Sequence, residues 1–283
     1  MSQSFNPTGD VCTVSGASFA GIIRATMAKE FLMGFRHLPN LVGTIIQLGV
    51  RILFFFYLSH VASFSTTGPL HELDYFLFVG SSLLLFVFFS TAIWTPLNTV
   101  GTDMYNGTLE YLYVCLKSRY AYFSGTVLAS SVVNLVFFVP IFVLLSIYAK
   151  ADSCTMIMIL CVCALGITAS MAIGVMISLM AMLWKQVQAL AAILALLFEF
   201  LSGAYAPIHL YPAPVKALAY VLPYTWGYDL VRYYLFKGEY QPLLPVVYEW
   251  LLFAGLAAVY TVISLILLKV VEHRVRTRGL GLL

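Results

Sequence analysis

The sequence predicts an all-helical integral membrane protein with six transmembrane helices, and three observations carry that prediction. The 283 residues are 61% hydrophobic and 10% charged, with a mean hydropathy of +0.94, whereas about a quarter of a water-soluble chain is charged. Six apolar stretches approach the ~20 residues a helix needs to cross a hydrocarbon core of ~30 Å; they lie at residues 41–58, 75–93, 122–148, 156–183, 187–204 and 246–268. The Lys and Arg residues between them fall unevenly on the two sides, which orients a multi-pass chain.

Residues 1–17, rich in Ser, Thr, Gly and Asn, read as a flexible cytoplasmic tail. Residues 18–283 form one transmembrane domain, with no internal repeat. From 18 to 37 the chain is helical, with Phe19, Ile23, Met27, Phe31 and Phe35 at i+4 steps and Lys29 and Arg36 seven apart on another face. That pattern suits an amphipathic helix in the headgroup plane. Arg24 and Glu30 project off its polar face, which implies a kink or packing on protein. Pro39 ends the helix. With three basic residues and no uninterrupted apolar core, this N-terminal segment does not read as a cleaved signal.

Arg24, Lys29, Arg36, Lys117, Arg119, Lys185, Lys269, Arg274, Arg276 and Arg278 fall on one side of the predicted membrane. Lys150, Lys216, Arg232 and Lys237 fall on the other, and Arg51 lies within the first span. Both termini are therefore predicted on the cytoplasmic side of a plasma (inner) membrane. The net charge of +3 arises largely from the C-terminal cluster, which reads as a topology anchor against anionic headgroups, so nucleic acid is not a partner.

Cys12, Cys115, Cys154, Cys161 and Cys163 are scattered over both sides and the membrane, matching neither a disulfide framework nor a thiolate metal site. His60, His71 and His209, with Glu72 and Asp74, lack the spacing of a ligand set, so no metal is expected. No H-E-x-x-H, no G-x-S-x-G and no paired intramembrane carboxylates are apparent, which argues against a membrane enzyme.

Two connections carry the functional signal. The cytoplasmic one holds Asn106-Gly107-Thr108-Leu109-Glu110-Tyr111-Leu112, then Lys117-Ser118-Arg119. Thr108 suits the cap of a short helix, Glu110 offers charge, and Leu109 and Tyr111 offer apolar knobs to a soluble partner. The external one, residues 205–245, is rich in Pro and aromatics and reads as a re-entrant helical segment, which backbone tolerates only when covered by protein or beside water. Asp229 and Arg232 within it are spaced for an i,i+3 pair.

Gly107-Thr108-Leu109-Glu110 between spans two and three, together with Ser202-Gly203, Pro207, Pro212, Pro223-Tyr224-Thr225 and Arg232 after span five, resembles the ABC-2 type transporter permeases. The resemblance covers the chain from about residue 18 onward. It departs from the family where Cys115-Leu116-Lys117 stands in place of the usual Ser-Pro.

The resemblance implies a permease that dimerises, with a homodimer the expectation. It also implies two copies of a nucleotide-binding ATPase subunit, gripped through residues 103–119 and the interface helix carrying Arg24, Lys29 and Arg36. MgATP would belong to that partner, because this chain has no G-x-x-x-x-G-K-[ST] loop and needs no cofactor of its own. The substrate expected is amphipathic: a drug, lipid, glycolipid or polysaccharide. Haem export for cytochrome maturation, or ion-coupled transport without an ATPase, are the competing functions.

The translocation path or gate implied by the resemblance includes Arg51, Glu199, Gly203, Pro207, Pro223, Asp229 and Arg232. A buried unpaired Arg51 would cost ~2.5–3.5 kcal/mol on insertion scales, so it requires a partner or water. Glu199 is the partner the sequence offers, and the two stand open between meeting a substrate headgroup and forming a fixed ion pair. Gln47, Asn98 and Asn134 are assigned to helix contacts.

Overall fold

The computed structural model describes residues 19–36, 42–43, 46, 49–54, 56–57, 75–107, 119–183, 188–237 and 240–278. All regular structure among them is helical. The elements are α1 (Phe19–Arg36), α2 (Tyr75–Tyr105), α3 (Arg119–Val133), α4 (Leu135–Tyr148), α5 (Ser153–Leu183), α6 (Gln188–Leu201), a 3-10 turn (Ile208–Leu210), α7 (Ala213–Val221), α8 (Pro223–Leu235) and α9 (Val246–Arg278).

Three of these are long and apolar enough to span a bilayer, namely α2, α5 and α9, and a fourth span arises if α3 and α4 are taken as one bent helix. The six expected spans are thus met by three or four among the described residues. Of the first expected span, residues 42–43, 46, 49–54 and 56–57 are described, and all of them are helical. The fifth is α6, whose 14 residues reach only about 21 Å.

Burial separates the long helices. The apolar window of α2 is 83% buried inside the chain, that of α5 44% and that of α9 22%, so α2 is the central post and α9 the outermost. Around α2 pack α3, α4, α5, α6 and α8, while α5 also carries α3, α8 and α9. The core between them is aromatic and aliphatic, with Phe88 against Phe138 at 5.2 Å and Phe89 against Tyr224 at 4.7 Å between ring centroids. Close approach depends on missing side chains: a Cβ at Gly174 of α5 would collide with Val127 of α3, and one at Gly227 of α8 would meet Leu85 of α2 at 2.8 Å. Small residues are the usual means of bringing helices together in lipid, where no hydrophobic force drives association.

The third expected span, read as one helix over 122–148, breaks at Asn134 with a bend of 48°. Asn134 carries helical dihedrals, but its carbonyl accepts from both Phe137 and Phe138 N–H at 3.0 Å. Its side-chain amide donates to Thr91 Oγ1 of α2. Pro140 lies inside α4 and removes a further backbone donor. Kinks have such local causes, and here an Asn and a Pro within one apolar run supply them.

The N-terminal helix is packed on protein along one face. Ile22 and Thr26 are buried and Lys29 is half-buried, while Arg24, Ala25 and Ala28 are exposed. The buried face sits one residue back from the predicted Phe19/Ile23/Met27 stripe and includes Lys29, which the sequence placed on the polar side. It seats on α3, where a Cβ at Gly125 would stand 3.3 Å from Thr26 Cβ.

Candidate functional site

At the C-terminal end of α2, three helices meet through one polar junction. Asp103 of α2 is 5% exposed and Tyr122 of α3 is 4% exposed. Lys29 of α1 reaches Asp103 Oδ1 and the Tyr122 hydroxyl, both at 3.4 Å. Tyr122 in turn donates its O–H to Asp103 Oδ2. The ammonium also lies 5.7 Å from the centroid of the Tyr122 ring. A carboxylate this buried needs donors, and they come from one residue on each neighbouring helix.

Four residues beyond Asp103, the chain leaves α2. Gly107 has φ +66° and donates its N–H to Met104 O at 3.2 Å, the left-handed conformation that commonly closes a helix. Asn106 and Gly107 are both exposed. Thr108, Leu109, Glu110, Tyr111 and Lys117 of the predicted coupling region lie outside the described residues, as do the side chains of Arg36 and Arg119.

The opposite end of α2 is held by Arg232 of α8, which is 1% exposed. Its guanidinium donates to Ser82 Oγ at 2.7 Å, Gly203 O at 2.7 Å, Ala204 O at 3.1 Å and Phe78 O at 3.4 Å. It also stacks 3.6 Å from the Phe78 ring centroid. Ser82 adds a bond to Ala204 O at 3.0 Å. The turn after α6 requires Gly203, whose φ is +77° and whose missing Cβ leaves room for Ile208. Pro207 caps the 3-10 turn that follows.

Pro223 opens α8 at a position where its missing N–H is no loss. Thr225 and Trp226, just inside α8, donate to Ala219 O at 2.6 Å, which also accepts the Leu222 N–H, and to Tyr220 O at 3.1 Å, so side chains of α8 help close the end of α7. The proline- and aromatic-rich segment is therefore a self-capped corner locked to α2.

Asp229 and Arg232 do not form the i,i+3 pair expected from their spacing. Arg232 spends its donors on the carbonyls and hydroxyl above, while Asp229 accepts from Tyr240 O–H at 2.6 Å and Leu243 N–H at 2.8 Å. Backbone acceptors left by a helix end and a glycine turn outcompete a carboxylate that has its own donors. Burial, followed by the charge of Asp229, pushes the Tyr240 hydroxyl above its ordinary range, so it stays a donor.

Arg51 and Glu199 do come together, at 3.1 Å within one chain, with the guanidinium 4.0 Å from the Phe86 ring centroid. Tyr205 donates its O–H to the same Glu199 oxygen. The Arg51 side chain is 27% exposed and that of Glu199 6%, so the acid is sealed and the base partly open.

Sequence reasoning missed Tyr122, Ser82, Tyr240 and Glu249, each polar and each inside or beside an apolar run. Glu249 was the readable one, a carboxylate in the first turn of the last span. No group of three or more His, Cys, Asp or Glu that could hold a metal ion occurs among the described residues.

The family model described as ABC-2 type transporter matches residues 22–236, from the first turn of α1 to the end of α8. Comparison with individual curated proteins gives no match.

Proposed function

Because the chain belongs to the ABC-2 type transporter family, we propose that this membrane permease is the spanning subunit of an exporter driven by ATP hydrolysed in a separate nucleotide-binding chain. The observation that carries the reading is the Lys29–Asp103–Tyr122 junction. It ties α1, α2 and α3 together immediately before the exposed Asn106–Gly107 exit, so a force applied to residues 103–119 is delivered to three helices at once. A hydrolysing partner supplies such a force when its subunits close, and packed helices respond by shifting between discrete arrangements.

The break at Asn134 supports the same reading. It lets α3 follow the cytoplasmic junction while α4 stays on α2. Two ATPase copies, a permease homodimer in the inner membrane with both termini cytoplasmic, and an amphipathic substrate complete the proposal. Arg51, beside Glu199, supplies a partly open cation for the polar end of that substrate. Export then requires only that affinity differ between the two arrangements.

The test is reconstitution into proteoliposomes with the copurified ATP-binding subunit. Substrate movement that requires ATP, and a cross-link from a cysteine at Asn106→Cys to that subunit, are expected. Transport by the chain alone on a proton or sodium gradient overturns the proposal. Arg51→Leu in an assembled complex tests the substrate contact, since unchanged transport removes Arg51 from that role.

A further inference from the structure

The sequence shows no paired carboxylates in the membrane domain, yet the fold makes such a pair. Asp229 of α8 is 1% exposed and Glu249 of α9 is 0% exposed. The 240–245 loop between their helices brings them together with consecutive amides: Leu243 N–H donates to Asp229 Oδ2 at 2.8 Å and Leu244 N–H to Glu249 Oε1 at 3.0 Å. Amides that adjacent in the chain place the two carboxyls side by side, each within the other's field. No cation within ion-pair distance of either occurs among the described residues.

The donors do not suffice for two carboxylates. Asp229 has Tyr240 O–H and the Leu243 amide, and Glu249 has the Leu244 amide on Oε1 with a share of the Leu243 amide. Glu249 Oε2 is sealed from solvent and receives no donor at all. Buried polar atoms are satisfied in the great majority of cases, and a carboxylate oxygen left bare beside a second carboxylate is the least tolerable exception. One proton on that oxygen resolves both problems, because a carboxylic O–H donates to Asp229 and halves the buried charge.

The other titratable groups do not provide an alternative. Arg232 of α8 lies within the field of Asp229 and shares Tyr240 with it, but no ion pair joins the two, and the guanidinium donates to Ser82 and three backbone carbonyls. Tyr75 of α2 lies within the field of Arg232, Glu199 and Tyr205 face Tyr228, and Cys163 of α5 faces Tyr224. Tyr234 accepts from Trp250 Nε1 at 3.1 Å.

We infer that Asp229 and Glu249 form a proton-binding site: a single proton on Glu249, donated to Asp229, pins α9 to α8 and to the 240–245 loop, and its loss to base unlocks the segment. With the proton present the pair carries one negative charge and a closed hydrogen bond. Without it two negative charges face each other in a space closed to water, and α8 and α9 must part or admit solvent. The pin is on the same helix as Arg232, so its release loosens the corner that Arg232 locks to α2. None of this depends on what drives transport.

Infrared spectroscopy of the purified chain in lipid bilayers reads the proton directly. The wild type at neutral pH is expected to show a carboxylic C=O stretch that shifts in heavy water and disappears as pH is raised. The melting midpoint should fall over the same pH interval. Glu249→Gln, whose amide donates in place of the acid, should lose that band and melt with no dependence on pH there. Asp229→Asn should also lose it, because the new amide donor lets Glu249 ionise. The wild-type titration needs no variant, so a variant that fails to fold leaves the test intact. Absence of the band in the wild type at neutral pH, or its persistence at full strength in either folded variant, overturns the inference.

Discussion

Two cationic side chains secure the two ends of α2, and they do so by different means. Lys29 joins the C-terminal end to α1 and α3 through side chains, Asp103 and Tyr122, and its own side chain is 35% exposed. Arg232 joins the other end to the turn after α6 through backbone carbonyls, and it is 1% exposed. A contact between side chains on separate helices, with one partner open to water, can be exchanged for another. A fork of donors sunk into the carbonyls of one turn cannot, because every acceptor it leaves would stay buried and bare. The Lys29 junction is therefore built to move and the Arg232 corner to stay.

The largest test of that contrast is Arg232→Leu. Removing one side of a buried, charge-assisted network costs about 3–5 kcal/mol, seen as a fall in the melting midpoint of detergent-purified protein or as loss of the monodisperse peak. Arg232→Lys should recover only part of it, since a point charge cannot reach carbonyls and hydroxyl together. A loss no larger than that of an exposed pair would erase the distinction between the two ends.

Next in size is Gly203→Ala, at about 3 kcal/mol. An L-residue at φ +77° costs about 1 kcal/mol and the new Cβ, 2.7 Å from Ile208 Cγ1, adds the overpacking penalty of about 1–3 kcal/mol. The same melting measurement reads it. If the variant melts like the wild type, the turn is not the fixed object that Arg232 requires.

The long apolar runs made α2, α5 and α9 readable, because a near-continuous stretch of Leu, Ile, Val and Phe has no other place than a bilayer or a core. Their partners were less readable. The bend at Asn134 needed Thr91 from another helix, 43 positions away in the chain. Arg232 was marked as important from its place after the prolines, but its partner was misassigned, since helix spacing cannot reveal that carbonyls at Gly203 and Ala204 stand unsatisfied nearby. The Arg51–Glu199 pair was foreseen because two isolated charges in apolar surroundings have few alternatives. Lys29 was placed on the wet face because the sequence does not say that Asp103 and Tyr122 arrive there.

Tyr122→Phe sharpens the Lys29 side of the comparison. It deletes the O–H that Asp103 accepts and leaves the ring under Lys29, at a cost of about 1.5–3 kcal/mol for a bond to a charged group. Chemical denaturation at low and high salt should separate this from the Lys29 contribution. The ammonium's share shrinks with ionic strength, whereas the hydroxyl's share is unaffected.

Gly107→Ala is the smallest expected change and the most informative beside Gly203→Ala. Both glycines have positive φ, +66° and +77°, but among the described residues nothing lies within 4 Å of a Cβ at Gly107. The strain is the same and the clash is absent, so the loss should be about 1 kcal/mol. That difference isolates packing from backbone strain with one measurement repeated at two sites. Equal losses would mean that the space around Gly107 is filled in the assembled protein. Residue 107 is where the chain leaves α2 into the region proposed to receive the ATP-binding partner, so repeating the measurement with that partner bound tells its contribution from that of this chain.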